Sequence, residues 1–94
     1  MKNYECLFII EPDAASERFD QVKSTIAQDI ERFEGSVGEA EELGQRTLSY
    51  PIRHCHEGFY YLLNFAIDPP ALQEIRARYT LNNDILRYLI TARG

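Results

Sequence analysis

The sequence lacks the features that mark several classes of protein. No apolar run approaches the roughly 18 residues that a membrane-spanning helix needs, so we expect a soluble protein with no membrane partner. The first residues show no cationic leader ahead of an apolar segment, and secretion is not expected. Two cysteines far apart, Cys6 in an apolar run and Cys55 in a polar one, favour a reducing compartment over a disulfide framework. Together these absences predict a cytoplasmic protein.

Signatures of catalysis and of nucleotide binding are also missing. Gly44 and Gly58 are isolated, with neither a Walker pattern nor a dinucleotide fingerprint around them. Paired carboxylates among Glu39, Glu41 and Glu42 would suit acid–base chemistry, but this stretch reads as exposed and has no partner acid, which favours a solvated face. We therefore expect no enzyme and no cofactor.

The segment His54-Cys55-His56 contains residue types that bind transition metals. Adjacent residues of an extended segment point to opposite sides, however, and no second pair of ligands exists elsewhere to complete a site. Cys55 as a nucleophile would need a base oriented by a third group, which the sequence does not offer. We expect a solvated hairpin tip without a metal.

Positive charge is in short supply. The net charge of −5 argues against a protein that holds nucleic acid by charge alone, because neutralising phosphates requires cations. RNA, if bound, would be bound locally. The cations near predicted strand ends and hairpins are Lys2, Arg46, Arg53, Arg87 and Arg93, whereas acidic residues concentrate at Glu31, Glu34, Glu39, Glu41 and Glu42.

The length of 94 residues predicts one domain, residues 1–94, with one core. Residues 4–10 are rich in aromatic and β-branched side chains and predict the first strand. A helix follows, capped by Asp13 or Ser16, and Gly35 stands where a left-handed residue would end it. The helix is predicted by apolar residues three and four apart, namely Phe19, Val22, Ile26, Ile30 and Phe33.

The second half of the chain predicts three more strands and a helix. Residues 37–52 form a long strand with a bulge or bend at Gly44, residues 53–58 a hairpin loop, and residues 59–67 the third strand. Asp68-Pro69-Pro70 would start the second helix, and residues 85–91 form the last strand. The order βαββαβ predicts an α+β ferredoxin-like sandwich, with a four-stranded antiparallel sheet and two helices on one face.

Three of these strands are nearly continuous apolar runs, although one face of such a sheet should face water. Turning Tyr4, Cys6, Phe8 and Ile10 towards the helices leaves Glu5, Leu7 and Ile9 outside. The third strand would expose either Tyr60 with Leu62 or Phe59 with Tyr61 and Leu63, and the last strand would expose Arg87, Leu89, Thr91 and Arg93. An apolar surface with cations at its edge suits a partner protein bordered by RNA.

Gly58-Phe59-Tyr60-Tyr61-Leu62 offers an alternative, because it resembles the third-strand motif of RNA-recognition domains. The match is incomplete, since Glu57 stands where a cation is expected and Tyr60 replaces a small residue. This alternative predicts a free-standing single-strand RNA-binding module that stacks bases on Phe59 and Tyr61, whereas a core position for both is an equally good interpretation.

Four segments spread over essentially the whole chain carry a more specific pattern. They are Lys2-Asn3-Tyr4-Glu5, Glu42-Leu43-Gly44-Gln45-Arg46-Thr47-Leu48-Ser49-Tyr50-Pro51-Ile52, Gly58-Phe59-Tyr60 and Ile85-Leu86-Arg87-Tyr88. In order and spacing these segments resemble the bacterial ribosomal protein S6 family of the small subunit.

The resemblance implies a ferredoxin-like fold, no catalysis, and assembly into the platform of the small ribosomal subunit. It also implies a heterodimer with ribosomal protein S18 and contact with the central domain of small-subunit rRNA and with other small-subunit proteins. An acidic chain fits this picture, because a basic partner can supply most phosphate contacts. The hairpin, commonly lysine-rich in the family, here reads Arg53-His54-Cys55-His56-Glu57 and departs from that pattern.

Two site predictions combine the resemblance with the outward strand positions. The predicted RNA-binding residues are Lys2, Arg46, Tyr50, Arg53, Arg87 and Arg93. The predicted interface with the partner protein consists of Leu7, Ile9, Leu48, Tyr60, Leu62 and Leu89.

Overall fold

The structure, a computed structural model, describes residues 1–93. Its strands are β1 (Lys2–Ile10), β2 (Ser36–Ile52), β3 (Cys55–Ile67) and β4 (Ile85–Arg93), and its helices are α1 (Pro12–Glu17), α2 (Phe19–Arg32) and α3 (Leu72–Leu81). The strands form one antiparallel sheet in the order β2-β3-β1-β4. The predicted ferredoxin-like arrangement is confirmed.

One face of the sheet packs against the helices and forms the core. The predicted inward residues of β1 are all buried, and alternation places their cross-strand partners on the same side. Phe8 lies against Tyr79 of α3 with their ring centroids 5.0 Å apart, in an edge-to-face contact. The fully buried large side chains include Phe8, Ile10, Val22, Ile26, Ile30, Leu63, Ile67, Ile75 and Tyr79.

The first helix differs from the prediction at its start. Neither Asp13 nor Ser16 caps it; the carboxylate of Glu11 accepts hydrogen bonds from the backbone N–H groups of Asp13 (3.1 Å) and Ala14 (3.0 Å). Pro12 at the first helical position has no N–H to satisfy, and the cap lies two residues before Asp13, the earlier of the two predicted positions.

The predicted helix is also divided in two. The backbone leaves the helical region at Arg18, with φ −148° and ψ 38°, which separates α1 from α2. The guanidinium of Arg18 donates a 2.7 Å hydrogen bond to the Asp84 carboxylate ahead of β4. This contact ties the break between the helices to the opposite end of the chain.

The second helix begins with a single 3-10 turn, Pro69–Ala71, before α3. The two prolines occupy the first turn as predicted, since their missing N–H groups need no partner there. Asp68 does not act as the predicted side-chain cap. Its carboxylate instead lies 3.4 Å from the N-terminal amine of Met1, while its backbone carbonyl accepts from the N–H of Ala71.

The hairpin between β2 and β3 is shorter than the predicted loop of residues 53–58. Ile52 pairs directly with Cys55, so the turn consists of Arg53 and His54 alone, both left-handed with φ 48° and 65°. Two consecutive positive φ values are typical of a type I′ turn, which the sequence hides because neither residue is glycine or asparagine. The guanidinium of Arg53 donates to the backbone carbonyls of Asn83 and Ile85 and holds the turn against the start of β4.

Strand β2 is long and irregular, as predicted. The register shifts between Val37 and Ala40, between Glu42 and Gly44, and between Thr47 and Ile52. Gly44 adopts φ 94°, which a residue with a side chain adopts only with strain. The predicted bulge or bend at Gly44 is therefore confirmed.

Helix α2 ends in a Schellman motif whose left-handed residue is Glu34 and not the predicted Gly35. The N–H of Gly35 bonds to the carbonyl of Ile30 at 2.9 Å and that of Glu34 to the carbonyl of Glu31 at 3.0 Å, with φ 64° at Glu34. Gly35 is required because there is no space for a side chain. A Cβ there would lie 2.6 Å from Cγ2 of Ile30 and 2.9 Å from the carbonyl oxygen of Ala66.

Replacing Glu34 by glycine is expected to raise the free energy of unfolding by about 0.5 to 1 kcal/mol, because glycine adopts the left-handed conformation without strain. Gly35→Ala, the neighbouring control, is expected to lower it, because its new Cβ has no room. Urea denaturation of both variants measures the two effects. A lower unfolding midpoint for Glu34→Gly would contradict the assignment of the motif.

Candidate partner and RNA interface

The face of the sheet away from the helices, here called the outer face, carries a continuous apolar row. Leu7 of β1 is directly opposite Leu62 of β3 on one side and Leu89 of β4 on the other. Neighbouring strands lie about 4.8 Å apart, so the three leucines stand side by side across the sheet. Leu89 remains 63% exposed in the isolated chain. This apolar row (Leu62, Leu7, Leu89) lies open to a partner.

Next to the apolar row, towards the β2–β3 turn, lies a groove with aromatic and cationic walls. Ile9 pairs with Tyr60 and with Arg87, and the guanidinium of Arg46 sits 5.6 Å from the centroid of the Tyr60 ring. Tyr50 is 82% exposed at the rim. We call this the tyrosine groove; its lining is Ile9, Leu48, Ser49, Tyr50, Pro51, Ile52, Tyr60 and Arg87.

At Gly58 the side chains of Ile9 and Leu48, two lining residues of the tyrosine groove, occupy the space that a side chain of residue 58 would need. The residue is buried in β3, and a Cβ there would overlap Cγ2 of Ile9 and lie 3.6 Å from Cδ2 of Leu48. Only glycine therefore lets the Ile9 and Leu48 side chains meet over the sheet at this point. Gly58 belongs to two of the motifs found in the sequence, but nothing local in the sequence reveals this contact.

The other end of the outer face is polar. Asn64 of β3 pairs with Glu5 of β1, which pairs with Thr91 of β4. The side-chain oxygen of Asn64 is buried and has no hydrogen-bond donor among residues 1–93. Asn64 was not among the predicted site residues, although its place as the one amide inside the apolar run 59–67 sets it apart.

The predicted site residues fall into distinct groups. The outer face carries the whole predicted partner interface: Leu7, Ile9, Leu48, Tyr60, Leu62 and Leu89. Of the predicted RNA-binding residues, Arg46, Tyr50 and Arg87 come together around the tyrosine groove. Arg53 stands apart at the turn, where its guanidinium donates hydrogen bonds to the backbone carbonyls of Asn83 and Ile85.

The remaining two predicted RNA-binding residues lie at the opposite end of the sheet. Arg93 pairs with Asn3, six residues along β1 from the partner of Arg87, which is about 20 Å at 3.3 Å per residue. Lys2 shares by alternation the helix-facing side with Tyr4, and it is exposed at the start of the strand. The structure does not bring Lys2 and Arg93 together with the tyrosine groove.

The aromatic residues of the RNA-recognition alternative point towards the helices. The ring of Phe59 lies 4.8 Å from that of Phe19, and Tyr61 is 5% exposed between Phe8 and Phe19. Bases cannot stack on rings that the helices cover. The open choice of register in β3 is therefore settled, with Tyr60 and Leu62 outside.

The side chains with nucleophilic or metal-binding chemistry do not form a cluster. Within residues 1–93 no group of three His, Cys, Asp or Glu side chains is arranged to hold a metal ion. Burial raises the pKa of the Cys6 thiol to about 12, so it stays protonated and unreactive at neutral pH. Cys55 is half-buried near the turn. Over the same residues, no helix has the length and apolar character needed to cross a membrane.

An open apolar row beside a cationic, aromatic groove is typical of the surfaces of macromolecule-binding proteins. A family model described as ribosomal protein S6 matches residues 3–92. The chain is 36% identical over 91 residues to small ribosomal subunit protein bS6 of Dictyoglomus turgidum, covering 97% of this chain and 94% of that one. It is 34% identical to bS6 of Moorella thermoacetica, covering 97% and 93%.

A solved structure agrees with these relatives. The crystal structure of 30S ribosomal protein S6 from Thermotoga maritima matches with a TM-score of 0.88 at 29% identity, covering 98% of this chain and 87% of that one. The chain belongs to the ribosomal protein S6 family. Members of this family are structural proteins of the ribosome, which confirms the expectation that the chain is not an enzyme.

Proposed function

We propose that the chain is a structural component of the small-subunit platform in the cytoplasmic ribosome. There it binds the central domain of small-subunit rRNA as a heterodimer with the basic ribosomal protein S18, among other small-subunit proteins. The observation that carries the proposal is the apolar row with the tyrosine groove beside it on one outer face. Membership of the S6 family supports the ribosomal part.

The apolar row supports a protein partner at the centre of the face. Three leucines in register on neighbouring strands offer contact area to apolar side chains but no hydrogen bonds to bases or phosphates. Ile9, Leu48 and Tyr60 continue this surface into the tyrosine groove. The partner interface proposed for S18 is therefore the six-residue set predicted from the sequence.

The tyrosine groove supports RNA at the edge of that interface. Arg46 and Arg87 supply cations for phosphates, and the exposed ring of Tyr50 supplies a face for an unstacked base. Lys2, Arg53 and Arg93 are proposed as further, scattered phosphate contacts. With a net charge of −5, these contacts give weak affinity alone, and the basic partner adds the rest.

Titration of a central-domain rRNA fragment with the purified chain, with and without S18, across a salt series tests the proposal. Tight, salt-dependent binding is expected only when S18 is present, because most phosphate contacts then come from the partner. Strong binding of arbitrary single strands by this chain alone would instead support a free-standing single-strand RNA-binding module that uses residues other than Phe59 and Tyr61. No gain in affinity on adding S18 would defeat the heterodimer.

A further inference from the structure

The two edges of the sheet differ in their protection against further strand pairing. The β2 edge is interrupted by three register shifts, by Gly44 with its positive φ and by Pro51, and it exposes the carboxylates of Glu39 and Glu41. Bulges, proline and charge of this kind prevent another chain from adding a strand. The β4 edge contains neither glycine nor proline.

Most of β4 is a regular strand with one side open. It pairs with β1 from Arg87 to Arg93 without interruption, and no strand of residues 1–93 pairs with its other side. Only the start of β4 is irregular, where the register shifts and Arg53 donates to the carbonyl of Ile85. The segment Arg87–Arg93, here called the open edge, therefore presents backbone N–H and C=O groups to another strand.

The open edge is complementary to a second copy of itself. In an antiparallel pair centred on Leu89, the two copies of Leu89 lie opposite each other and Arg87 lies opposite Thr91 of the second copy. A centre one residue later sets Arg87 opposite Arg93, where like charges repel, and a centre one residue earlier sets Arg87 opposite Leu89. The centre at Leu89 is therefore the favoured register.

This register also supplies a counterion to Glu5. Glu5 of β1 lies opposite Thr91 of β4 and makes no ion pair within residues 1–93. In the paired form Arg87 of the second copy lies on the far side of Thr91, two strand spacings or about 10 Å from Glu5 between Cα atoms. The long arginine side chain reaches over the small threonine to the carboxylate. The two-fold axis forms this ion pair twice.

The helix side of the open edge has room for the side chains of a second strand. A groove lies between β4 and the end of α3, with Thr80, Leu86 and Tyr88 among its lining residues. In the paired form Ile90 of the second copy lies opposite Tyr88, and alternation turns both side chains towards the helices. The half-buried Ile90 then packs against the Tyr88 ring at this groove.

We propose that the free chain forms a weak homodimer in which the open edges of two copies pair antiparallel about Leu89. The two four-stranded sheets become one sheet of eight strands, and the apolar row continues from one copy into the other. The homodimer is weak because pairing of two edges buries much less than the roughly 1,600 Å² of a standard interface. This inference goes beyond the proposed function and does not depend on it.

Cysteine cross-linking tests the pairing and its centre. A Cys55→Ser background removes the native thiol that is not fully buried. Leu89→Cys then sets two thiols directly opposite each other, with about 5 Å between Cα atoms, which a disulfide spans. Thr91→Cys is the matched control, because its two copies lie about 13 Å apart along the strands. With diamide as oxidant, Leu89→Cys is expected to form the covalent dimer about tenfold faster than Thr91→Cys or more.

Charge reversal tests the same pairing without a new cysteine. Sedimentation equilibrium over a concentration series is expected to show the mass of the wild-type chain rising from that of one chain towards that of two. Arg87→Glu is expected to raise the dissociation constant about tenfold, and Glu5→Arg/Arg87→Glu to restore it. Arg32→Glu, the same change at the exposed end of α2, is the control and is expected to leave it unchanged.

The outcomes separate the homodimer from other forms of association and from the proposed function. A wild-type mass of one chain at every concentration up to the millimolar range would overturn the homodimer and leave the open edge to a strand of another protein. Equal cross-linking at residues 89 and 91, or association that Arg87→Glu does not weaken, would also overturn it, because the copies would then meet elsewhere. Failure to bind S18 or rRNA would defeat the proposed function and leave the homodimer untouched.

Discussion

Replacement of Leu89 by aspartate is expected to weaken binding of the basic partner about hundredfold, with little effect on folding. Leu89 completes the apolar row, yet it is 63% exposed, so the isolated chain gains little from burying it. An aspartate at that position would have to lose its water in the complex without an ion-pair partner, which carries a penalty of about 2–3 kcal/mol or more at an interface. Titration with S18 measures the loss.

A matched control comes from the opposite surface of the chain. Leu81 at the end of α3 is 81% exposed, and Leu81→Asp makes the same chemical change away from the outer face. This variant is expected to bind the partner as the wild type does. Wild-type affinity in both variants would show that the apolar row is not the docking surface. An equal loss in both variants would point to a general effect of added negative charge.

The inward side of the sheet could be predicted from residue order alone. Residues 4–10 contain one charged side chain, Glu5. Turning it to water places Tyr4, Cys6 and Phe8 on the inner face, because side chains of a strand point alternately to opposite faces. The inward face of β3 could not be predicted in this way, because both sets of alternating residues in that strand are largely apolar. The pairing register with β1 determines which residues of β3 face inwards, since Tyr61 lies opposite Phe8 and Tyr60 lies opposite Ile9.

The turn and the caps could not be predicted, because the residues at these positions are not the preferred ones. Arg53 and His54 form a turn that usually contains asparagine and glycine, and Glu34 occupies a position typical of glycine. In each case the surrounding structure holds the strained residue. Hydrogen bonds from Arg53 to the start of β4, 30 residues or more away along the chain, stabilise the turn, and no local pattern reveals them.

The candidate site was predicted in part. The alternation of residues on β1 and β4 identified Leu7, Ile9 and Leu89, and the resemblance added residues of β2 such as Leu48. The groove lined by Glu39, Ala40, Glu41, Leu62 and Asn64 could not be predicted in this way. Its lining residues come from β2 and β3, and the irregular register of β2 decides which of its glutamates face outwards. The sequence alone treats Glu39, Glu41 and Glu42 alike, whereas the structure turns Glu42 to Lys23 on the other face.

Arg78→Met is expected to lower the free energy of unfolding by about 2 to 3 kcal/mol, because it leaves a buried carboxylate without its partner. The Arg78 guanidinium on α3 lies 2.8 Å from the carboxylate of Asp29 on α2, and Asp29 is 8% exposed. The expected loss stays below the full value for a buried pair because the Arg78 side chain is 40% exposed. Urea denaturation measures it.

The reverse change separates the cost of a buried charge from the value of the ion pair. Asp29→Leu is expected to cost less than Arg78→Met, because the arginine left alone can turn to water. The double variant Asp29→Leu/Arg78→Met is expected to regain most of the lost stability, since it no longer buries an unpaired charge. Additive losses would show instead that the pair stabilises the packing of α2 on α3. In either case the folded fraction is expected to bind S18 with unchanged affinity, because the pair lies on the helix side of the sheet and the apolar row lies on the other.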